Sequence, residues 1–355
     1  MERFLAIDSG KFATKVAEYS LNNGQVHTYM QRTKVSNGYL CDDAIERNTV
    51  VIEINGKVYK VGNGANGNGA RLDTSKNDDV HKICTLTAIA QVASSNEVDE
   101  FNVAVGMPSS EYAVPPKRVE YKNAILPEGE IKIKIKPSGA TEPITKKFII
   151  KNRFVYPESI GALIANDEIF ADVVKNKHIP TGVIDIGNLN LNATFWQGTD
   201  FIADKSQTTE LGGAIIIREL ANQLSASITR VDEYVAANIL KTKSTKRQLP
   251  SGLGLSDEQV KKSGEIISNV LHQYAESIRN ACSSKQWSLD AMRIIAIGGT
   301  SEDIYDELKN VFGNVTILPN ANFCNALGYL RLMCEKLPQI DDIINLTTGD
   351  KRSNV

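Results

Sequence analysis

The fold is decided by the stretch FLAIDSGKFATKVAEY (Phe4–Tyr19), because a later stretch, GVIDIGNLNLNATFW (Gly182–Trp196), repeats its pattern. Each is an apolar run that ends in Asp-x-Gly, at Asp8-Ser9-Gly10 and at Asp185-Ile186-Gly187, followed by a polar turn and a second alternating run. This pattern predicts a β-hairpin, and glycine in the turn lets main-chain N–H groups approach an anion closely. Two copies indicate two similar half-domains that grip the phosphates of a nucleotide between two glycine turns.

The hairpins also carry side chains that suit a metal-bound phosphate. Asp8 and Asp185 stand at strand ends, where a carboxylate can hold hydrated Mg²⁺ together with waters and phosphate oxygens. Lys15 lies on the returning strand of the first hairpin, where its ammonium can reach a phosphate as a point charge.

Length, charge and cysteine usage limit the class of protein. The chain has 355 residues, enough for two domains, and its apolar and charged fractions of 42% and 23% are typical of a soluble globular protein. The formal net charge of −2 argues against a protein that coats nucleic acid. We expect no secretory signal and no membrane span. Five scattered cysteines predict core thiols in a reducing cytoplasm, and four histidines without ligand spacing argue against a bound transition metal.

A glycine-rich segment follows a second predicted hairpin. Asn55-Gly56 between the alternating runs Val50–Ile54 and Lys57–Val61 is a strong hairpin signal. The next segment, GNGANGNGA (Gly62–Ala70), satisfies the G-x-G-x-x-G spacing of a dinucleotide-binding fingerprint. That fingerprint requires the glycines to open an amphipathic helix, and the polar residues that follow are unsuited to one. The segment is therefore predicted to be a surface loop.

Glu158 has two interpretations. The run Phe154–Glu158 is predicted to introduce a helix to about Lys175, with Pro157 at the favourable first position. An acidic residue there stabilises a helix N-terminus. Because Glu158 lies between the two phosphate hairpins in the chain, it is also a candidate to orient or deprotonate the water that attacks a γ-phosphate.

Two basic segments favour structural interpretations but leave a binding role open. The alternating segment Glu130–Lys136 predicts a half-buried strand with a solvated lysine face, and a polymer or partner contact is the lesser alternative. The segment Lys241–Arg247, continued to Gly254, predicts an exposed, mobile loop, with a partner or filament contact as the alternative.

The second half of the chain alternates helices with short strands. Glu210-Leu211-Gly212-Gly213 is predicted to open a helix to about Ser227, and a capping box at Ser256 and Gln259 starts the longest helix. The buried strand Arg293–Ile297 runs into Gly298-Gly299-Thr300, which predicts a corner suited to an anion or a nucleoside. Near the C-terminus, Ile340–Leu346 lacks the basic face of a membrane-surface helix.

Five motifs, taken in the order in which they occur along the chain, resemble the signatures of the actin superfamily of ATPases. They are the first phosphate motif Asp8–Lys15, the first connecting motif Pro157–Ala162, the second phosphate motif Asp185–Asn190, the adenosine motif Ile297–Thr300 and the second connecting motif Asn325–Gly328. The resemblance spans about Phe4 to Leu332. Within the superfamily, the Pro-Glu-Ser-Ile run and the length are most similar to the bacterial plasmid-segregation actins of the ParM/StbA group.

The resemblance implies an α/β, actin-like ATPase fold: two RNase H-like domains, each with a subdomain insertion, around a nucleotide cleft. Residues 1–176 with 325–355 are expected to form domain I, and residues 177–324 domain II. The implied function is a filament that assembles with bound ATP or GTP and Mg²⁺, disassembles after hydrolysis and segregates plasmid DNA in the cytoplasm. The implied partners are further copies of the chain and a small DNA-binding adaptor on a plasmid centromere, without direct binding to membrane or nucleic acid.

The resemblance and the hairpin chemistry together give the expected site. Glu158 takes the family's water-positioning role, and Asp8 and Asp185 organise Mg²⁺. The other residues expected to contact the nucleotide are Ser9, Gly10, Lys11, Phe12, Lys15, Gly187, Asn188, Leu189, Asn190, Gly212, Gly213, Glu233, Gly298, Gly299 and Thr300. The second turn departs from the family, because Asn188, Leu189 and Asn190 stand where many relatives have Gly and Thr. Asn tolerates a left-handed backbone and offers donors, so we expect phosphate contact to survive.

Other members of the superfamily provide alternatives. A small-molecule phosphotransferase, like the sugar and acetate kinases, shares the core but is usually longer or carries a substrate-binding base in the cleft. A DnaK-type chaperone needs a downstream peptide-binding domain. A membrane-bound cell-shape actin needs an amphipathic anchor. The filament is therefore the favoured hypothesis, with the kinase second.

Overall fold

The computed structural model describes residues 2–21, 23–41, 46–67, 75–95 and 97–337, and the chain divides into two compact units. The first unit runs to Asp172 and resumes at Phe323, and the second is Val173–Asn322. The predicted segment at Ile340–Leu346 lies outside the described residues.

The first unit combines one large sheet with six helices among its described residues. Its strands are β1 (Glu2–Ser9), β2 (Ala13–Ser20), β3 (Gln25–Arg32), β4 (Val35–Asn37), β5 (Thr49–Ile54), β6 (Lys57–Gly62), β7 (Val98–Met107), β8 (Glu130–Pro137) and β9 (Ile144–Pro157). Its helices are α1 (Asp79–Val92), α2 (Ser109–Tyr112), α3 (Pro115–Ile125), α4 (Ile160–Ile164), α5 (Asp167–Lys175), whose last residues belong to the second unit, and α11 (Cys324–Glu335).

The first sheet has the strand order β3-β2-β1-β7-β9-β8-β5-β6-β4 in the described chain. Strand β1 pairs antiparallel with β2 and parallel with β7, so it is central and Asp8 lies near its carboxyl end. Apolar side chains cover β1 on both faces, because Leu5 and Ile7 join one core cluster while Phe4 joins another with α11. A strand buried on both faces reads as a continuous apolar run, as this one does.

The second unit repeats this plan with a smaller sheet. Its strands are β10 (Thr181–Ile186), β11 (Leu191–Gln197), β12 (Asp200–Phe201), β13 (Gln207–Thr209), β14 (Arg293–Ile297) and β15 (Val315–Ile317), and its helices are α6 (Gly213–Ser227), α7 (Glu233–Leu240), α8 (Asp257–Ser284), α9 (Gly299–Asp303) and α10 (Tyr305–Phe312). Strand β10 pairs antiparallel with β11 and parallel with β14, as β1 does with β2 and β7. Asp185 therefore lies near the end of a central strand.

The predictions of the hairpin turn at Asn55-Gly56, of the capping box and of core thiols at four cysteines are confirmed. Asn55 and Gly56 have φ of 51° and 76°, the left-handed pair that a two-residue hairpin turn requires. The capping box joins Ser256 and Gln259 at the start of α8. Four of the five cysteines are buried free thiols, whereas Cys41 is exposed. In the described part of the chain, no helix is both long and apolar enough to cross a membrane.

One local prediction is wrong, and two hold only in part. Pro157 ends strand β9, which pairs in parallel with β7, so no helix begins there and Glu158 lies in the turn before α4. Lys136 is buried, so the predicted solvated lysine face does not extend along all of β8. The segment after α7 is mostly exposed, as predicted, but Arg247 anchors it, because it pairs with Glu307 at 2.9 Å and also donates to the carbonyl of Asp303.

Candidate functional site

The first phosphate turn is closed by its own backbone. The N–H of Gly10 donates to the carbonyls of Asp8 (2.9 Å) and Ala13 (3.1 Å), and a Cβ at Gly10 would come within 2.8 Å of the Ala13 oxygen. Across the hairpin, Asp8 is paired with Lys15, and Asp8 Oδ2 lies 3.6 Å from Lys15 Nζ. The hairpin thus holds the predicted Asp and Lys side by side.

A second lysine, Lys76, enters the same place from the loop before α1. Its Nζ lies 2.5 Å from Glu158 Oε1 and 3.6 Å from Asp8 Oδ1. Lys76, Glu158 and Asp8 are 6%, 6% and 4% exposed, so this is a buried cluster of charges. The structure therefore brings Asp8, Lys15 and Glu158 together within one unit and adds a residue that the sequence did not indicate.

The opposite charges in this cluster favour each other's ionised forms. Burial alone would raise the pKa of Asp8, but the ammoniums of Lys76 and Lys15 outweigh it and lower that pKa. Burial likewise opposes the charged form of Lys76, but the carboxylates of Glu158 and Asp8 raise the pKa of Lys76 well above its ordinary value. Both Asp8 and Lys76 are therefore charged at neutral pH.

The backbone at Glu158 is fixed from both sides. Its N–H donates to the carbonyl of Met107 (2.8 Å), and its carbonyl accepts from Ser109 Oγ (2.6 Å). Ser159 follows with φ of 69°, a conformation that costs about 1–3 kcal/mol for a residue other than glycine. Its N–H donates to Asn325 Oδ1 at 3.1 Å. These contacts hold Glu158 at the end of β9 rather than in a helix.

The two connecting motifs cross at a pair of glycines in the first unit. A Cβ at Gly328 would lie 2.4 Å from the Cα of Gly161, and a Cβ at Gly161 would lie 2.5 Å from the Cα of Asn325. Helices α4 and α11 therefore pack backbone to backbone, which brings Asn325 to the turn after Glu158. The glycines of both motifs have a packing role.

In the second unit, three predicted segments meet at one corner. The carbonyl of Gly187 accepts from the N–H of Gly213 (2.9 Å) and from Thr300 Oγ1 (3.3 Å). The carbonyl of Asn188 accepts from the N–H of Ala214 at 2.8 Å. The start of α6 and the start of α9 thus fix the turn at 187–190.

Glycines make this corner possible. Gly298 has φ of 89°, and a Cβ there would lie 2.4 Å from the Ile186 carbonyl oxygen and 2.8 Å from Asp185 Oδ1. A Cβ at Gly212 would lie 2.3 Å from the Leu189 carbonyl carbon. Any side chain at these two positions would displace the turn or the aspartate, so the predicted glycines keep space around Asp185.

Two of the predicted contacts lie on the surface of their units. Phe12 is 40% exposed, and the Arg32 guanidinium carbon lies 3.3 Å from the centroid of its ring. The side chain of Glu233 is 66% exposed, and its carboxylate lies 3.9 Å from Arg218 Nε. Among the described residues, we observe no contact between Glu233 and the corner at Gly298.

The residues present fit a hydrated magnesium ion with a nucleotide. The described residues contain no cluster of three or more His, Cys, Asp or Glu side chains that would form an all-protein metal site. Mg²⁺ does not need one, because it is commonly held by one or two carboxylates with water and phosphate oxygens. Within the first unit, the buried carboxylate of Asp8 and the ammonium of Lys15 beside the first turn suit that arrangement. Within the second unit, so does the carboxylate of Asp185, beside which Gly298 leaves space.

Comparison with known proteins gives one match to a family model. The family described as "Actin like proteins N terminal domain" matches residues 6–161. That range includes Asp8, Lys15, Lys76 and Glu158. No curated protein matches the chain in sequence.

Solved structures match nearly the whole chain. The Alp12 filament structure is 21% identical with a TM-score of 0.69 and covers 94% of this chain and 99% of its own. An archaeal actin homolog is 18% identical with a TM-score of 0.73 and coverage of 94% and 100%. A 15-stranded ParM filament from Clostridium botulinum is 17% identical with a TM-score of 0.66 and coverage of 94% and 99%. The chain therefore has the actin-like fold.

Sequence reasoning missed Lys76, Ser109 and the role of Asn325. Lys76 stands in a polar stretch ahead of a helix cap, where nothing in the local pattern separates a buried lysine from a solvated one. Asn325 lies in a recognised motif, but its bond to Ser159 joins residues 166 positions apart.

Proposed function

We propose that this chain is an actin-like NTPase that polymerises with bound ATP or GTP and segregates plasmid DNA. The observation that carries the proposal is the buried carboxylate of Glu158, fixed at a strand end beside Asp8 and Lys15 in an actin-like fold. The five motifs and the likeness to ParM and Alp12 filaments support it.

In the proposed mechanism the two turns, 9–12 and 187–190, bind the β- and γ-phosphates of one nucleotide, with Lys15 as a charge partner. Asp8 and Asp185 would hold Mg²⁺ through water, and the ion when bound would neutralise phosphate charge. Glu158 orients the attacking water by accepting a hydrogen bond from it. Because a diphosphate lacks the γ-phosphate contacts, hydrolysis weakens the state that polymerises.

The proposed partners follow from the same likeness. Copies of this chain form the filament, and a small DNA-binding adaptor connects it to a plasmid centromere. The net charge of −2 favours such an adaptor over direct binding to DNA, whose proteins carry basic surfaces.

The test is light scattering by the purified protein with phosphate release followed in the same sample after addition of Mg²⁺ and ATP, then GTP. A scattering rise that decays as phosphate appears is the expected result. Flat scattering, with turnover only when a small-molecule acceptor is added, would identify a phosphotransferase and overturn the filament proposal.

A further inference from the structure

Lys76 is a buried cation to which the proposed mechanism assigns no role. Its partners are the two carboxylates with proposed functions in the first unit, Glu158 at 2.5 Å and Asp8 at 3.6 Å. A lysine placed only for stability has no need of these particular partners, and burying its charge carries a desolvation cost that a well-packed apolar residue would avoid.

Lys76 stands three residues before the capped helix α1. Two residues later, Asp78 caps this helix by accepting from the N–H of His81 at 2.8 Å. The ring Nδ1 of His81 lies 2.8 Å from the same Asp78 oxygen, and His81 is fully buried. The backbone next to Lys76 is therefore anchored in the core of the first unit.

The chemistry of an ammonium suits a third contact. A lysine ammonium has three N–H donors; one is directed at Glu158 at 2.5 Å, and Asp8 lies at 3.6 Å, within ion-pair but outside hydrogen-bond distance. Lys15 Nζ lies 3.6 Å from the other oxygen of Asp8, so two cations converge beside the first phosphate turn. A terminal phosphate near this turn would meet both of them.

We propose that Lys76 is a positioning residue that holds the Glu158 carboxylate and also binds the terminal phosphate of the nucleotide. Its contact with Glu158 restricts the carboxylate to one orientation toward the attacking water. Its contact with the γ-phosphate exists for a triphosphate and not for a diphosphate. Lys76 thereby gives the site a preference for the triphosphate. This inference rests on the proposed function.

The experiment measures the affinity of the full-length protein for a non-hydrolysable triphosphate and for the diphosphate of the same base, both with Mg²⁺, by calorimetry. Lys76→Met should lower the triphosphate affinity about tenfold relative to the diphosphate, as expected for loss of one charge-assisted hydrogen bond. Lys76→Arg keeps the positive charge and should restore most of the preference. Lys134→Gln is the matched control, because Lys134 pairs with the carboxylate of Glu53 at 3.1 Å in the same unit but at an exposed surface.

A second pair of variants separates an effect of Lys76→Met on nucleotide binding from an effect on folding. Lys76→Met leaves two buried carboxylates with less compensation, so the same ratio is measured in Glu158→Gln with and without Lys76→Met. A tenfold fall of the ratio in both backgrounds supports the proposal. If wild type binds both nucleotides and neither Lys76 variant changes the ratio, the role of Lys76 is overturned while the proposed function stands. If wild type binds neither nucleotide, the proposed function itself fails.

Discussion

The two hairpins predicted to bind phosphate share one sequence pattern but have different surroundings. At the end of β1, Asp8 is buried between two ammonium groups, Lys15 Nζ and Lys76 Nζ, both at 3.6 Å. At the end of β10, Asp185 lies against the glycine corner formed by Gly298 and the turn at 187–190. The first end is built from paired charges, whereas the second is built from close backbone packing.

The difference lies in the kind of contact that surrounds each aspartate within its own unit. The charged side chains that we propose to attract and orient phosphate, Lys15 and Lys76, lie in the first unit with Glu158. The second unit supplies an aspartate and a turn whose shape is fixed by hydrogen bonds from α6 and from Thr300. Substitutions at the first hairpin should therefore have their effect through the loss of charge. Substitutions at the second hairpin should have theirs through a change in the shape of the turn.

The two aspartates provide the largest expected effect. Asp185→Ala should lower Mg²⁺-dependent nucleotide affinity by about 1000-fold, on the scale of losing one partner of a buried charge interaction. Asp8→Ala should lower affinity similarly and also lower the melting temperature, because Lys15 and Lys76 both lose a partner. Calorimetric titration and thermal melts of both variants check this. Equal melting temperatures for the two variants would remove the contrast between the hairpins, and normal affinity of Asp185→Ala would remove Asp185 from the metal site.

Glu158→Gln tests whether the carboxylate of Glu158, in the first unit, takes part in the proposed hydrolysis. The amide keeps the shape and the backbone contacts with Met107 and Ser109 but cannot act as a carboxylate. Turnover should fall about 100-fold while nucleotide affinity changes little, so filaments should persist after assembly. Phosphate release and scattering measured together decide this, and unchanged turnover would exclude Glu158 from the mechanism.

Gly298→Ala tests the role of shape in the second unit. A Cβ at φ of 89° and 2.4 Å from the Ile186 carbonyl should destabilise the unit by about 2–3 kcal/mol and move Asp185. Gly252→Ala is the matched control in the same unit, because a Cβ there meets nothing within 4 Å. Denaturant unfolding of the two variants measures the difference. Equal stabilities would show that the corner yields easily and that its geometry is not fixed by glycine.

The smallest expected effect is a dependence of stability on pH, which arises from Asp303. Burial raises the pKa of Asp303 to about 6, although Lys241 and Arg247 partly oppose the shift. Because folding favours its protonated form, the contribution of Asp303 to stability is present below about pH 4 and is lost as the pH rises through about 6. Asp8, whose pKa is lowered, has the opposite sign and loses its contribution as the pH falls.

Asp303→Asn should therefore stabilise the protein at pH 7 by on the order of 1 kcal/mol, discounted for its partial exposure, with no gain at pH 4. Asp290→Asn, at an exposed position of the same unit, is the control. Melting temperatures across this pH range provide the measurement. A gain that does not change with pH would exclude the titration of Asp303 as its cause.

The sequence predicted the elements that depend on local pattern. The hairpin at Asn55-Gly56, the capped start of α8 and the strand β14 before Gly298 all follow from turn chemistry or periodicity over a few residues. The prediction that a helix begins at Pro157 is wrong, because local pattern does not decide that case. A proline suits the first turn of a helix and also the end of a strand, and the pairing of β9 with β7, some 50 residues earlier in the chain, decided between them.

By itself, the sequence determined the actin-like fold, the two Asp-x-Gly hairpins and the candidate carboxylates Asp8, Glu158 and Asp185. Only the tertiary structure decided that Lys76 joins Asp8 and Glu158, that Asn325 supports the turn at Ser159, and that the basic segment at Arg247 is anchored to Glu307. The physical reason is range: turn and strand preferences act between neighbours in the chain, whereas a buried ion pair depends on which distant segments the folded core brings within a few ångströms.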